Sequence, residues 1–269
     1  MTKTRLHQIA DRPANGATSP IRADALLLAR GLVSSRDRAR DLIAAGKVIA
    51  DGMLVKKPAK MLALDSDIEI TGMVNPWVSR AGLKLAGGLD AFPVVDIAGK
   101  LALDIGASTG GFTDVLLAHQ AAHVIAIDVG SGQLHPRLAA DPRVTVMDGV
   151  NARYLDASML PAAPAVLVCD ASFISLKKLL PAALALAAPA AFLVALIKPQ
   201  FEVGKGRVGK GGVVREAELH RDVVTDIETW LVGMMGWQHI GTMPSPIDGP
   251  DGNREFLLVG QKAGANQSS

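Results

Sequence analysis

From Leu101 onward, short apolar runs alternate with longer stretches in which apolar residues recur every three or four positions. The runs Leu101–Asp104, Val124–Asp128, Val144–Met147, Val166–Asp170 and Ala191–Lys198 read as strands, and the stretches between them as helical or irregular segments, including Leu176–Ala187. That alternation predicts βαβ units, hence a parallel sheet covered on both faces. A helix over Glu216–Met235 then precedes two more strands, Gln238–Met243 and Glu255–Gly260, which should close the sheet as a hairpin. Upstream the elements are shorter. Asp24 is placed to cap a first helix, Ala25–Arg30, that ends at Gly31. Ser35 is placed to cap a second, Arg36–Ala45, that ends at Gly46 and gathers Ala39, Leu42 and Ile43 on one arc. Asp51-Gly52 between Lys47–Ala50 and Met53–Val55 is a hairpin signal.

One run, Leu179–Ile197, carries no charge and is long enough to span a bilayer. Pro181 and Pro189 interrupt it, alanine dominates it, and it has no aromatic belt. The reading is a buried helix, a turn at Ala188-Pro189 and a buried strand, with no stable membrane association. The first twenty residues lack an apolar core segment, so they do not read as a secretory signal; their Pro, Gly, Ser and Thr content reads as a disordered lead. Asn75-Pro76-Trp77-Val78 reads as a linker, with Trp77 a candidate for packing at the junction of two parts. The expected organisation is therefore a lead over 1–20, a small module over 21–74, a linker over 75–78, a large domain over 79–262 and a polar tail over 263–269.

Charge changes this picture. The net charge is only +2, but residues 1–60 hold twelve Lys/Arg against five Asp/Glu, while the rest is mildly acidic. A basic first segment on an acidic body points to an anionic partner held by the N-terminal part. Arg36 and Arg40, one turn apart, and Lys47 at the hairpin can follow a phosphate backbone; equally, they can form a plain solvated face. Cys169 is the only cysteine, which excludes a disulfide framework and a thiolate metal site, and suits a reducing cytoplasm.

The chemistry concentrates at Leu101–Asp114, LALDIGASTGGFTD: a strand, a tight glycine turn and a helix start. The turn is D-x-G-x-x-x-G-G, unlike the dinucleotide fingerprint. Asp128 ends the next strand, a position that suits a ribose diol. Asp104, Asp128, Asp148, Asp170 and Lys198 all fall at strand ends, where open α/β sheets bind ligands. Lys198 directly follows a buried strand and needs a partner there; Asp170 is the natural one. Adding Lys84 and Glu255 gives two lysines and two acids that can close into a set of alternating sign. The loop over 203–212 carries Lys205, Arg207 and Lys210 among five glycines: a surface loop, or a clamp on RNA phosphates. Phe173, just after Asp170, is either a stacking platform for a displaced base or a core residue.

The basic module resembles the S4 RNA-binding domain. The likeness rests on Arg22-Ala23-Asp24, Ser34-Ser35-Arg36-Asp37-Arg38-Ala39, Ile43-Ala44-Ala45-Gly46-Lys47-Val48 and Asp51-Gly52 through Lys57-Pro58, and departs at Ala23, where leucine is usual. Lys84, Asp170, Lys198 and Glu255 stand in the order and contexts of the K-D-K-E tetrad of FtsJ-like ribose methyltransferases. Together with DIGASTGGFTD, NARY, CDASFISL, IKPQFEVG, VGKGGVVR and PSPIDGPDGNREFLL, the chain resembles the TlyA family over about residues 21–260. The resemblance implies a class I, Rossmann-like α/β methyltransferase with a small N-terminal S4 domain. It also implies S-adenosylmethionine as cofactor, no metal, and the 2′-hydroxyl of a cytidine in ribosomal RNA or ribosomal subunits as substrate; some members carry the haemolysin name. By the same resemblance Gly106, Ser108 and Gly110 approach the methionine and ribose portions, Asp128 accepts from the ribose, and Asp148 marks the adenine end. Asp104 meets the methionine ammonium, or serves only as a turn former, while Arg22, Arg36, Arg40, Lys47, Lys205, Arg207 and Lys210 meet RNA. Two rivals remain at this level. A membrane-active haemolysin would require Leu179–Ile197 to leave the sheet, and a pure RNA-binding module would have no need of the tetrad.

Overall fold

The computed structural model describes residues 20–33, 36–71, 75–204, 206–249 and 252–264. Ser35, Lys205, the lead before residue 20 and most of the tail therefore lie outside the described residues, as do the side chains of Arg38 and Lys210. Two compact units meet in sequence at Asn75, which begins the second.

In the first unit, β1 (Ile21–Arg22) leads into α1 (Ala23–Ala29) and α2 (Arg36–Ala44), followed by β2 (Val48–Ala50), β3 (Met53–Leu54), β4 (Met61–Leu62) and β5 (Ile68–Ile70). The helices bury Leu26, Leu27, Ala39, Leu42 and Ile43 against Val48 and Val55, so the expected arc of α2 is the face that packs. β2 pairs antiparallel with both β3 and β5, and β1 with β4. Asp51 and Gly52 have φ of 51° and 76°, the left-handed pair that a tight two-residue hairpin requires. One expectation fails. Asp24 is not a cap: α1 starts at Ala23, Arg22 holds the cap position, and Asp24 lies in the first turn, fully buried. Arginine guanidinium groups take its carboxylate inward, which outweighs a bond to the helix amides.

The second unit opens with α3 (Ala81–Ala91), then β6 (Leu101–Ile105), α4 (Gly111–Ala118), β7 (His123–Asp128), α5 (Pro136–Ala139) and β8 (Val144–Asp148). It continues with β9 (Val166–Cys169), α6 (Leu176–Leu179), α7 (Pro181–Leu186), β10 (Phe192–Ile197), α8 (Pro199–Glu202), α9 (Ala217–Gly233), β11 (Trp237–Pro244) and β12 (Phe256–Lys262). The seven strands run in the order β11-β12-β10-β9-β6-β7-β8. The five from β10 to β8 are parallel, and β12 and β11 add the antiparallel hairpin. Alternate strand residues face opposite cores. Leu103, Ile105, Ile125, Leu167, Leu193 and Ile197 pack under α6, α7 and α9. Ala102, Val124, Val166, Val194 and Leu257 pack under α3 and α4.

The helix expected over Leu176–Ala187 is cut after Leu179, because Pro181 has no amide hydrogen to continue α6 and instead starts α7. β10 is buried at all six residues and hydrogen-bonded on both sides. Among the described residues no helix is long and apolar enough to cross a membrane. Chain order reverses between the neighbours β6 and β9: the strands after β6 add on one side, those from β9 on the other. The crevice at the carboxyl ends of these two strands is where this architecture binds ligands.

Candidate active site

β9 ends at Cys169 and β10 at Ile197, so Asp170 and Lys198 are the first residues beyond two adjacent buried strands. Their side chains meet there, Lys198 Nζ lying 2.6 Å from Asp170 Oδ1. Lys198 also donates to Ser172 Oγ at 3.0 Å. Lys84 comes from another layer. It sits on α3 one turn before Gly88, where any side chain would press on Leu257 of β12. The bare glycine lets α3 lie close to β12, and Lys84 then reaches Glu255 just ahead of that strand, donating to Oε2 at 2.6 Å. Lys84 Nζ is 4.0 Å from Asp170 Oδ2. The result is one line of alternating charge, Glu255–Lys84–Asp170–Lys198, whose four side chains are at most 13% exposed. Buried charges this close hold one another only when paired, and here each has a partner of opposite sign.

The other half of the crevice is built on the glycine turn. Gly106 has φ of 79°, and a Cβ there would come within 3.0 Å of the Ala171 backbone, so the turn after β6 can pass the end of β9 only as glycine. Ser108 is itself left-handed, with φ of 47°. Gly110 has φ of 94° at the start of α4, and leaves no room for a side chain beside Leu138. Asp128 ties this turn to β7: Oδ2 accepts from Ser108 N and Oδ1 from Gly130 N, both at 2.8 Å. Asp148 accepts from Gly132 N at 2.7 Å. A carboxylate has about four acceptor sites, so neither group is saturated by these bonds. Asp104 is completely buried; Oδ2 bonds Thr113 Oγ1 at 2.6 Å and Oδ1 has no hydrogen-bond partner. Burial pushes its pKa up to about 7, against the pull of the Thr113 bond, with repulsion from Asp170 and Asp128 adding to the rise.

The structure thus brings Lys84, Asp170, Lys198 and Glu255 into contact, and sets Asp104, Gly106, Ser108, Gly110, Asp128 and Asp148 along the neighbouring strand ends. Phe173 is 90% exposed, with φ of 66° and its ring 5.2 Å from that of Phe201, so the core alternative for it is gone. Arg207 is exposed, while Lys47 is half-buried. Arg22, Arg36 and Arg40 gather on Asp24 in the first unit. Ser172 and Asn253 had no signal of their own in the sequence. Asn253 accepts from Val214 N and donates to Gly212 O, fastening the glycine loop to the turn before Glu255. Cys169 is fully buried and its thiol is pushed up to about 12, mainly by burial, which favours the neutral thiol. Among the described residues no His, Cys, Asp and Glu cluster is arranged to hold a metal ion.

Comparison with known proteins agrees with this architecture. Residues 77–262 match the FtsJ-like methyltransferase model, and residues 21–68 match the S4 domain. The chain is 46% identical over 238 residues to the 16S/23S rRNA (cytidine-2′-O)-methyltransferase TlyA of Mycobacterium tuberculosis, covering 88% of each chain. It is 38% identical to Hemolysin A of Brachyspira hyodysenteriae, over 88% of this chain and 98% of that one. A solved structure from Streptococcus thermophilus that bears the hemolysin name is 37% identical and covers 91% of this chain and 89% of its own, with a TM-score of 0.71.

Proposed function

The chain belongs to the FtsJ-like methyltransferases, in the TlyA group that joins them to an S4 domain, and on that premise we propose that it methylates the ribose 2′-hydroxyl of a cytidine in cytoplasmic ribosomal RNA. The observation that carries the reading is the buried line Glu255–Lys84–Asp170–Lys198 beside the glycine turn. A purely RNA-binding protein has no use for four buried charges at a sheet's ligand edge.

S-adenosylmethionine is the methyl donor in this reading, supplying a methyl group on a positively charged sulfur. The residues present fit it. Asp104 Oδ1, buried and without a hydrogen-bond partner, suits an ammonium group; Asp128 retains acceptor capacity for a ribose; Asp148 stands next along the edge. Gly106, Ser108 and Gly110 keep the turn free of side-chain bulk.

Lys198 is the residue assigned to the reacting oxygen. Its ammonium group donates to Ser172 Oγ and pairs with the Asp170 carboxylate, which fixes the nitrogen and leaves N–H capacity for the 2′-hydroxyl. As a cation, Lys198 stabilises the negative charge that grows on that oxygen; as a neutral amine, it removes the proton. Lys84, held by Glu255, gives Asp170 a second positive partner on its other oxygen and so helps to hold the carboxylate that pairs with Lys198. Alignment of the hydroxyl supplies several kcal/mol more. Arg22, Arg36, Arg40 and Lys47, with Lys205, Arg207 and Lys210 of the glycine loop, are assigned to RNA phosphates, and exposed Phe173 to the face of the target base.

The hemolysin name of some relatives does not favour a membrane role here. β10 lies between β9 and β12, and taking it out would split the sheet and remove the strand that positions Lys198. Mass mapping of ribose methylation on rRNA from cells with and without the protein tests the proposal. Loss of 2′-O-methylcytidine at defined sites is expected. Unchanged ribose methylation, or loss of a base methyl instead, would overturn it.

A further inference from the structure

The residues after β10 grip the loop after β9 at three points. Lys198 donates to Ser172 Oγ at 3.0 Å, the Phe201 ring lies 5.2 Å from that of Phe173, and Glu202 Oε1 accepts from Leu176 N at 2.8 Å. Lys198, Phe201 and Glu202 stand at i, i+3 and i+4, with Lys198 at the cap position of α8, so this single turn presents one face to the loop. Backbone bonds close the turn, from Phe201 N to Lys198 O at 2.9 Å and from Val203 N to Pro199 O at 3.0 Å.

The loop needs such a grip. Phe173 is exposed and left-handed, a conformation that a phenylalanine keeps only where its surroundings impose it. Burial of its own ring does not supply that constraint. One end of the loop is fixed by Asp170, which pairs with Lys198 and Lys84. The other end is fixed by the bond from Leu176 to Glu202. That bond is not what starts α6, since Ser175 already caps the helix and accepts from Lys177 N at 3.2 Å. Burial also works against a carboxylate here: it pushes the Glu202 carboxyl up, while Ser175, the Leu176 amide and Lys177 draw it down and Asp226 adds to the rise. We propose that Glu202 is a positioning residue for methyl transfer, pinning the loop over 171–175 to α8 so that Ser172 meets Lys198 and Phe173 stands at the mouth of the crevice. The inference rests on the rRNA reading above and adds how the loop between its two reacting strand ends is held. A bonded carboxylate at i+4 from Lys198 ties that loop to the same turn that carries the lysine, so the two move together.

The test separates the bond from the charge. The full chain is given ribosomal subunits from cells lacking the protein, and single-turnover methyl transfer is read at saturating protein. Melting curves and S-adenosylmethionine calorimetry are run beside it. Glu202→Ala should keep cofactor affinity and lose about 10- to 100-fold in rate, the scale of a small misplacement near reacting groups. Glu202→Gln should stay close to the parent, because its amide oxygen accepts the same Leu176 N–H without the charge. A rate in Glu202→Ala equal to the parent's, or a loss in Glu202→Gln as large as in Glu202→Ala, overturns the proposal. Should Glu202→Ala fail to fold, Glu202→Asp retracts the acceptor by one methylene; a comparable loss supports the role and a normal rate overturns it. A further arm asks whether Glu202 acts through the loop. In a Ser172→Ala, Phe173→Ala background, adding Glu202→Ala should cost less than about twofold, the scatter of uncoupled sites. The full loss repeated in that background means that Glu202 acts elsewhere and overturns the proposal. The background variant also separates the two levels. If it reacts at the parent's rate, the reading of this loop as part of the active site fails; if it is slow while Glu202→Ala is not, only the positioning role fails.

Discussion

Asp104 gives the clearest pH dependence at the level of a single residue. Its carboxyl has no exposed surface, and burial raises its pKa from 3.8 to about 7 in the folded protein. A raised carboxyl contributes stability fully only below its unfolded value, and that contribution is lost as pH rises through the folded value. The parent should therefore lose thermal stability relative to Asp104→Asn between about pH 4 and 7, by no more than a few kcal/mol. A stability difference that stays flat over that window would place the ionised form in the free fold. An ammonium brought against Oδ1 favours the carboxylate, so cofactor binding near neutral pH should release protons, which calorimetry in buffers of different ionisation heat detects. At Lys198 the expectation concerns rate. Lys198→Ala should keep the fold and cofactor binding yet lose roughly 100-fold or more in single-turnover rate. Lys198→Arg should recover little, since guanidinium does not release its proton and has a different shape. A parent rate that rises with pH, against a flat profile in the arginine variant, identifies proton removal by Lys198; near-normal turnover in Lys198→Ala would take it out of the mechanism.

Among the elements, those with strong periodicity were the legible ones. The five parallel strands, the closing hairpin and α9 follow from apolar runs that each fill a buried row of the sheet. Their ends were less clear: β9 and β10 stop one residue short of the expected runs, because Asp170 and Lys198 leave the ladder to face each other. β1, β4 and β5 have two or three residues each, too few to show a period, and they exist only through pairing partners distant in sequence. Asp24 looked like a cap since the local chain offers it helix amides; the arginines that claim it instead come from both sides of α1. Four charges were legible as a candidate set from chemistry and order, but Ser172 as the second partner of Lys198 was not, since a serine after a strand is common and only folding brings it within 3.0 Å. The same reasoning makes the end of β7 testable. Asp128 joins that strand to the glycine turn through Ser108 and has acceptor sites left for a ligand. Asp128→Ala should weaken S-adenosylmethionine binding by about 1–3 kcal/mol in calorimetry. Unchanged affinity would remove Asp128 from the cofactor site.

At the scale of the whole molecule, charge and chemistry are divided between two units that each have their own core. Residues 1–60 hold twelve Lys/Arg against five Asp/Glu, while every candidate catalytic and cofactor residue lies beyond Asn75. The cut that respects this division falls just before Asn75. Trp77 packs so closely on Gly82 that a Cβ there would lie 2.4 Å from the indole, and Val78 N donates to Asp114 at 2.9 Å, so this segment is part of the second unit's fold. A protein beginning at Asn75 should bind S-adenosylmethionine as the full chain does. Its affinity for rRNA should fall sharply, because most of the cations assigned to phosphates go with the basic unit. Replacing Arg36, Arg40 and Lys47 by glutamine in the full chain should give a graded version of the same loss, with the salt dependence flattening by roughly 0.7–0.9 log units for each phosphate left without its cation. Fluorescence anisotropy on rRNA transcripts over a salt series, run beside cofactor calorimetry, separates the two functions. Equal RNA affinity with and without the first unit would move recognition onto the methyltransferase unit, and loss of cofactor affinity in the shortened chain would mean that binding the methyl donor depends on both.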